Sequence, residues 1–464
     1  MPRLLLNRHH GFAVHQRPAG KTATSVLVQT SAQGLVLFLL STLLWALALA
    51  RPLPAWDQHH TFTGLVVEAL QTDLPLLRQP VKPMPLSAFL KRHAPGLKTL
   101  LADFYTWKKQ VYSYPQWLLT PESEAWLYSS EAAGKLTEAR FKELLGVRST
   151  AFGSVDVPSS SYPTFAPAAR SFGAWVRYFS DEPDWGMDQG LFGKGDPRYT
   201  EIPYGDIDKL SSQAPFHMYF GNENAITYAA RPSLKQSMTL LRFSLFQRLA
   251  AFALARHEWF WGARFLGCAL HYLQDVAMPY HASALPYATV FTYLKYAVVK
   301  DKQKFLADNM QLLSNRHFAY EAFAYRFLTL AKERIERILP EFDAIIGRAR
   351  NAALGSSAEP ASDEQFLVSI FKRVAKAAYK HARPVDKVIG KTFEPRLVKD
   401  PTFDPASNEE FKVETWLTEA LLDDWVAGKR FPQKALFDEF RPDLIRTLEA
   451  STILLTRLLA PVKW

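Results

Sequence analysis

Two stretches of this chain hold the residue types that bind divalent metal. In Ala269-Leu-His-Tyr-Leu-Gln-Asp-Val-Ala-Met-Pro-Tyr-His281, His271 and Asp275 stand four apart, so on a helix they share one face. Pro279 ends or bends that helix and lets His281 swing back to the same side. Downstream, His317 and Glu321 repeat the spacing of four. Neutral imidazole and carboxylate are both good zinc ligands. Two helices that each present such a pair inward can build a site for several ions. A lone histidine on an apolar helix is more often a packed residue, and His317 with Glu321 alone would make an ordinary helix pair. Two matched pairs plus His281, all in apolar sequence, are costly to bury without a cation, and the metal reading is preferred.

The stretch His271-Tyr-Leu-Gln-Asp275-Val-Ala-Met-Pro279-Tyr-His281-Ala resembles the core motif of the bacterial zinc-dependent phospholipases C. Their superfamily also holds the fungal-type single-strand-specific nucleases. The resemblance implies a cluster of three zinc ions. His271 and Asp275 would bind one ion, Asp275 would bridge to a second, and His281, His317 and Glu321 would hold another. The nuclease branch usually has Asp where this chain has Glu321, and the residues around His271 are nearer the phospholipase branch.

The same resemblance directs attention upstream. Family members begin with a Trp whose α-amino group and carbonyl oxygen bind zinc, followed by a helix-borne His. Here Trp56 follows Ala55, and His59 and His60 compete for the second role. His59 is preferred because Phe62 and Thr63 then match the step that follows in the family. An Asp and a later His are also expected. His217 is chosen over His257, which reads as a helix residue on a polar face. Among Asp181, Asp184 and Asp188, the choice is Asp184, which would orient or deprotonate the attacking water. The implied activity is zinc-dependent hydrolysis of a phospholipid to diacylglycerol and a phosphorylated head group. The alternatives are a single-strand nuclease and a non-catalytic, zinc-stabilised binding protein. No protein partner is implied, and peripheral membrane contact is expected. Tyr287, Phe291, Tyr293 and Tyr296 would touch an acyl chain or head group, or simply pack a helix.

The elements that must position these residues read as helices. Segment 237–280 carries apolar residues at spacings of three and four, as do 302–339, 366–379 and 442–459, the mark of buried helical stripes. Breaks are expected at 154–167, 186–203, 352–363 and 394–408, which are rich in Pro, Gly, Ser or Asp. Strand-like alternation is scarce. The expected fold is all-α: one large multi-helix domain over 56–464 around a buried tri-zinc cluster, with long loop insertions. The main insertion relative to the family covers about 76–180.

Composition sets outer limits. The 464 residues are 48% hydrophobic and 13% aromatic, which excludes a disordered chain. Residues 1–55 hold Arg3, Arg8, Arg17, Lys21 and Arg51 and no acid, followed by the apolar run 34–50 and small residues at Ala48, Ala50 and Ala55. This is the layout of a secretory signal cut near Ala55, giving a secreted or periplasmic protein; an uncleaved membrane anchor is the alternative. Of the +10 net charge, half belongs to that segment. Cys268 is the single cysteine, which excludes an intrachain disulfide and a cysteine-based zinc site.

Overall fold

The structure, a computed structural model, describes residues 58–463 except 112–118, 131–135, 148–151, 153–170, 186, 188–213, 231, 356–361 and 406–415. The expected signal, its cleavage point, Trp56 and Asp188 lie outside the described residues. The described residues form one compact unit. Among the described residues no helix is long and apolar enough to cross a membrane.

Helices build nearly all of it. They include α1 (His59–Leu70), α2 (Leu86–Val111), α3 (Phe172–Phe179) and the short α4 (Ala214–His217) and α5 (Ala225–Ala230). Next come α6 (Thr239–Leu254), α7 (Trp259–Asp275), α8 (Pro279–Ala282), α9 (Val290–Val298) and α10 (Lys302–Ala331). The chain closes with α11 (Phe342–Gly355), α12 (Ser362–Thr392) and α13 (Lys434–Leu459). Among the described residues there is no strand, only an isolated antiparallel bridge between Pro80 and Ser171. The all-α expectation holds.

The organising element is α7. Every residue from Phe260 to Asp275 is buried, and a helix apolar all round belongs in the middle of a core. It packs against α6, α3, α13 and α1. Where α3 crosses α7, Gly267 makes the close approach possible: a Cβ there would sit 2.8 Å from the Val176 carbonyl oxygen. Four polar residues of α7 point into this core, namely Arg264, His271, Gln274 and Asp275. Buried polar groups need partners, and those partners define the site.

Several expected boundaries move. The pattern over 237–280 is two helices. They part at His257, whose φ of 58° is left-handed, with Glu258 N–H donating to the Ala253 carbonyl and His257 N–H to that of Leu254. This Schellman arrangement ends α6, and His257 lies on an exposed turn rather than on a helix. Pro279 stands at the first turn of α8, where its missing N–H costs nothing; α7 has already stopped at Asp275. The helices expected over 366–379 and 442–459 extend to 362–392 and 434–459. Within the expected loop 394–408, Pro395–Lys399 is helical. In the segment expected to be an insertion, α2 buries Phe89, Leu97, Leu101 and Phe104, and the Tyr105 hydroxyl donates to the Leu144 carbonyl at 2.9 Å. The segment's buried apolar side chains join the core, while most of its charged ones reach solvent.

Candidate metal centre

His271 and Asp275 leave α7 on one side, and the end of α7 turns His281 on α8 back toward them. His281 Nδ1 lies 2.9 Å from Asp275 Oδ1. From α10, His317 Nε2 lies 3.0 Å from His281 Nε2 and 2.8 Å from Glu321 Oε1. From α4, His217 Nδ1 lies 3.0 Å from both Asp275 Oδ2 and His271 Nε2. His59, the first residue of α1, brings Nε2 within 3.7 Å of Asp275 Oδ1 and 3.8 Å of Asp184 Oδ2. Asp184 Oδ1 stands 3.7 Å from both His217 Nδ1 and His271 Nε2.

The donors fall into three groups able to hold a metal ion: His59, His271 and Asp275; Asp184, His217 and His271; and His281, His317 and Glu321. Asp275 ties them together, one carboxylate oxygen facing His59 and His281 and the other facing His217 and His271. Eight of the expected ligands therefore converge. His60 does not join them. One residue further along α1 turns the side chain by about 100°, and its Nδ1 pairs instead with Asp181 Oδ2 at 2.7 Å. That pair also takes Asp181 away from the cluster.

The donor chemistry tests whether a cation fits. Gln274 donates its amide to Thr63 Oγ1 at 3.0 Å and Ser451 Oγ at 3.1 Å, so its Oε1 is left as an acceptor toward His59 Nδ1 at 2.9 Å. His59 Nδ1 must then carry the proton, and its Nε2 presents a lone pair. Burial, reinforced by His271, holds the His59 pKa well below its usual 6.5, so the ring is neutral. That buried Nε2 makes no hydrogen bond, yet it faces two carboxylate oxygens. Lone pair against carboxylate repels unless a cation lies between. Two donors on one tetrahedral zinc stand about 3.4 Å apart, close to the separations here and longer than a hydrogen bond. Likewise His271 Nδ1 donates to the Ser180 carbonyl at 2.8 Å, which turns Nε2 to the cluster. The residues present fit a group of bound divalent cations.

The remaining electrostatics describe what holds the donors when protons stand in for metal. Burial disfavours imidazolium at His271, but Asp275 and Asp184 outweigh it and push the pKa up to about 9. At His281 burial is likewise outweighed, by Asp275 and then Glu321, and the pKa rises to about 10. Burial would raise the Glu321 carboxyl, yet His317 and His281 pull it down to about 2. Asp275 is held well below the carboxylate range by His271, His217 and His281 despite its burial.

Some supporting residues were not legible as such. Gln274 and Ser180 orient two imidazoles. The Arg264 guanidinium, fully buried, pairs with Glu182, which opens the turn Glu182–Asp184 that carries Asp184. On the α10 side, Asp386 of α12 accepts from the Tyr280 hydroxyl at 3.0 Å and from Arg316 at 2.7 Å. Asp443 of α13 takes the Tyr320 hydroxyl, His381 and Arg446. Each of these tyrosines and Arg316 is the chain neighbour of a cluster residue. Only proximity to the motif hinted at them.

No family model matches the chain. No curated protein matches it. No solved structure matches it.

Proposed function

We propose that this chain is an exported zinc-dependent phosphodiesterase, a phospholipase C that releases diacylglycerol and a phosphorylated head group. The observation that carries the reading is the Asp275 carboxylate, whose two oxygens serve different sets of buried imidazoles. Such a bridging carboxylate suits neighbouring ions rather than one structural ion. The motif likeness around His271 supports the lipid substrate.

One imidazole nitrogen offers one lone pair, so His271 Nε2 serves a single ion. His59 and one Asp275 oxygen would hold an ion together with the terminus at Trp56. His217, His271 and the other Asp275 oxygen would hold a second, with Asp184 alongside. His281, His317 and Glu321 would hold the third. Bound zinc supplies Lewis acidity, lowers the pKa of water to about 7 and neutralises phosphodiester oxygens. Asp184 does the acid–base work: its carboxylate orients the attacking water and accepts its proton. Gln274 and the Ser180 carbonyl keep His59 and His271 in the tautomers that present Nε2 to the cluster.

The test is hydrolysis by the zinc-loaded protein of mixed phospholipids, beside single-stranded DNA, with His271→Ala as control. Release of phosphorylated head group by the wild type and not by the variant is expected. DNA cleavage without head-group release would move the substrate to nucleic acid. No turnover of either would leave a metal-stabilised binding protein.

A further inference from the structure

Helix α9 presents an apolar face that the described residues leave exposed. Phe291 is 80% exposed, Leu294 56% and Val298 81%. At about 100° per residue these three fall within an arc of roughly 60°. The other side of the helix is fastened down. The Tyr293 hydroxyl bonds Thr227 Oγ1 at 2.7 Å, which sets α5 alongside. The Tyr296 ring meets Phe305 of α10 at 5.9 Å. Thr289 and Thr292 close the N-terminus with a capping box. On α5, Ile226 is a further large exposed apolar residue. Exposed apolar side chains clustered this way on a soluble surface mark an interaction site.

Charge selects the occupant. Residues 284–300 contain no Asp or Glu, while Lys295, Lys300 and Lys302 are all exposed at the rim. Asp301 caps α10 through the Lys304 amide. A second copy of the same face would bring lysines against lysines. An anionic lipid surface offers acyl chains to the three apolar residues and phosphates to the lysines, the two contacts that hold an amphipathic helix in an interface. We infer that α9 is the surface by which the protein seats itself on anionic phospholipid bilayers, with Phe291, Leu294 and Val298 entering the lipid. The inference deepens the phospholipase reading by naming the bilayer as the place where substrate is met. From Phe305 beside α9, twelve residues of α10 lead to His317, an axial distance of about 18 Å. The cluster thus stands within about 18 Å of the seated helix, measured along α10.

The experiment compares zinc-loaded wild type with F291S/L294S/V298S and with K295E/K300E. Binding to vesicles of phosphatidylglycerol and phosphatidylcholine at 3:7, and to pure phosphatidylcholine, is read within the first second by energy transfer from tryptophan to a dansylated lipid. Turnover of a soluble phosphocholine ester and the unfolding temperature are read in parallel. The wild type should prefer the anionic vesicles and lose binding in 0.5 M salt. The apolar variant should bind at least 10-fold more weakly, and the lysine variant should lose the preference for anionic lipid, both with unchanged unfolding temperature. Equal binding by all three overturns the inference, as does a wild type that binds neither vesicle. Self-association that the apolar substitutions abolish would assign the face to a second copy instead. The two readings separate cleanly. Vesicle binding without head-group release refutes the phospholipase while leaving the docking face, and ester turnover with vesicle binding untouched by the substitutions does the reverse.

Discussion

The most informative residue is one that bears no charge. Gln274 fixes which nitrogen of His59 holds the proton, because its own amide is committed to Thr63 and Ser451. Gln274→Leu keeps the volume and removes the acceptor. Metal affinity at the His59 ion should then fall about 10–100-fold, the usual cost of losing a partner of a ligating histidine, and a competition titration with a chelating dye would read it. Asp184→Asn should act differently, lowering kcat about 10²–10⁴-fold while the ion held by His281, His317 and Glu321 is retained in the metal content. Protonation follows from the same contacts. In the metal-free protein, the raised His271 and His281 stabilise the fold fully below the ordinary histidine value of 6.5. That contribution is lost as pH rises through about 9 to 10. The depressed Glu321 contributes above its ordinary 4.5, and the contribution is lost as pH falls through about 2. These groups therefore favour the metal-free fold most between 4.5 and 6.5. Zinc must displace the histidine protons, so loading at pH 7 should release protons and weaken as pH falls. Calorimetry in buffers of differing ionisation enthalpy measures the number released, and zero would refute the assignment of charged His271 and His281.

At the scale of elements, positions near the site are set by crossings rather than by the ligands themselves. Gly267 lets α3 lie against α7, and Ser180, the acceptor for His271, follows α3 directly. Gly267→Ala meets backbone and cannot be relieved by moving a side-chain tip. It should cost about 1–3 kcal/mol, as overpacking does, and should also raise the metal dissociation constant. Thermal unfolding with and without zinc separates the two effects; a wild-type melting curve would show that the crossing has slack. Such crossings explain why part of the structure was readable from sequence and part was not. The i, i+4 pairs His271/Asp275 and His317/Glu321 were legible because helical geometry alone puts each pair on one face. The break at His257 was not, since a His in the left-handed region gives no periodic signal where a Gly would have. His59 is preferred over His60 from the Phe62 and Thr63 that follow it, but that His60 turns to Asp181 instead depends on how α1 lies against the turn after α3, which has no local signal. The long-range partners Arg264–Glu182, Tyr280–Asp386 and Tyr320–Asp443 join residues far apart in sequence, and nothing local announces them.

For the whole molecule, the cluster is where separate parts of the chain meet. α1, the turn after α3, α4, α7, α8 and α10 each send side chains to it, while α12 and α13 grip the neighbours of those side chains through Asp386 and Asp443. Carboxylates and imidazoles brought together at the centre of an apolar core have no good reason to stay there on packing alone. Cations held by these groups would turn that concentration of polarity from a cost into a link between elements. A ligand that binds only the folded state adds RT ln(1 + [L]/Kd), about 4 kcal/mol when free metal exceeds Kd a thousandfold. Chelation should therefore lower the unfolding temperature by several degrees and make it depend on zinc concentration, and re-added zinc should restore both it and turnover. The loss should be largest where most elements converge. Hydrogen exchange after chelation should accelerate first in α4 and α8, which have four residues each and depend on the cluster, while the middle of α7, buried along its whole length, should stay protected. Uniform acceleration along α7 would mean that the cations hold the core itself, and unchanged exchange in α4 and α8 would mean that packing alone holds the site.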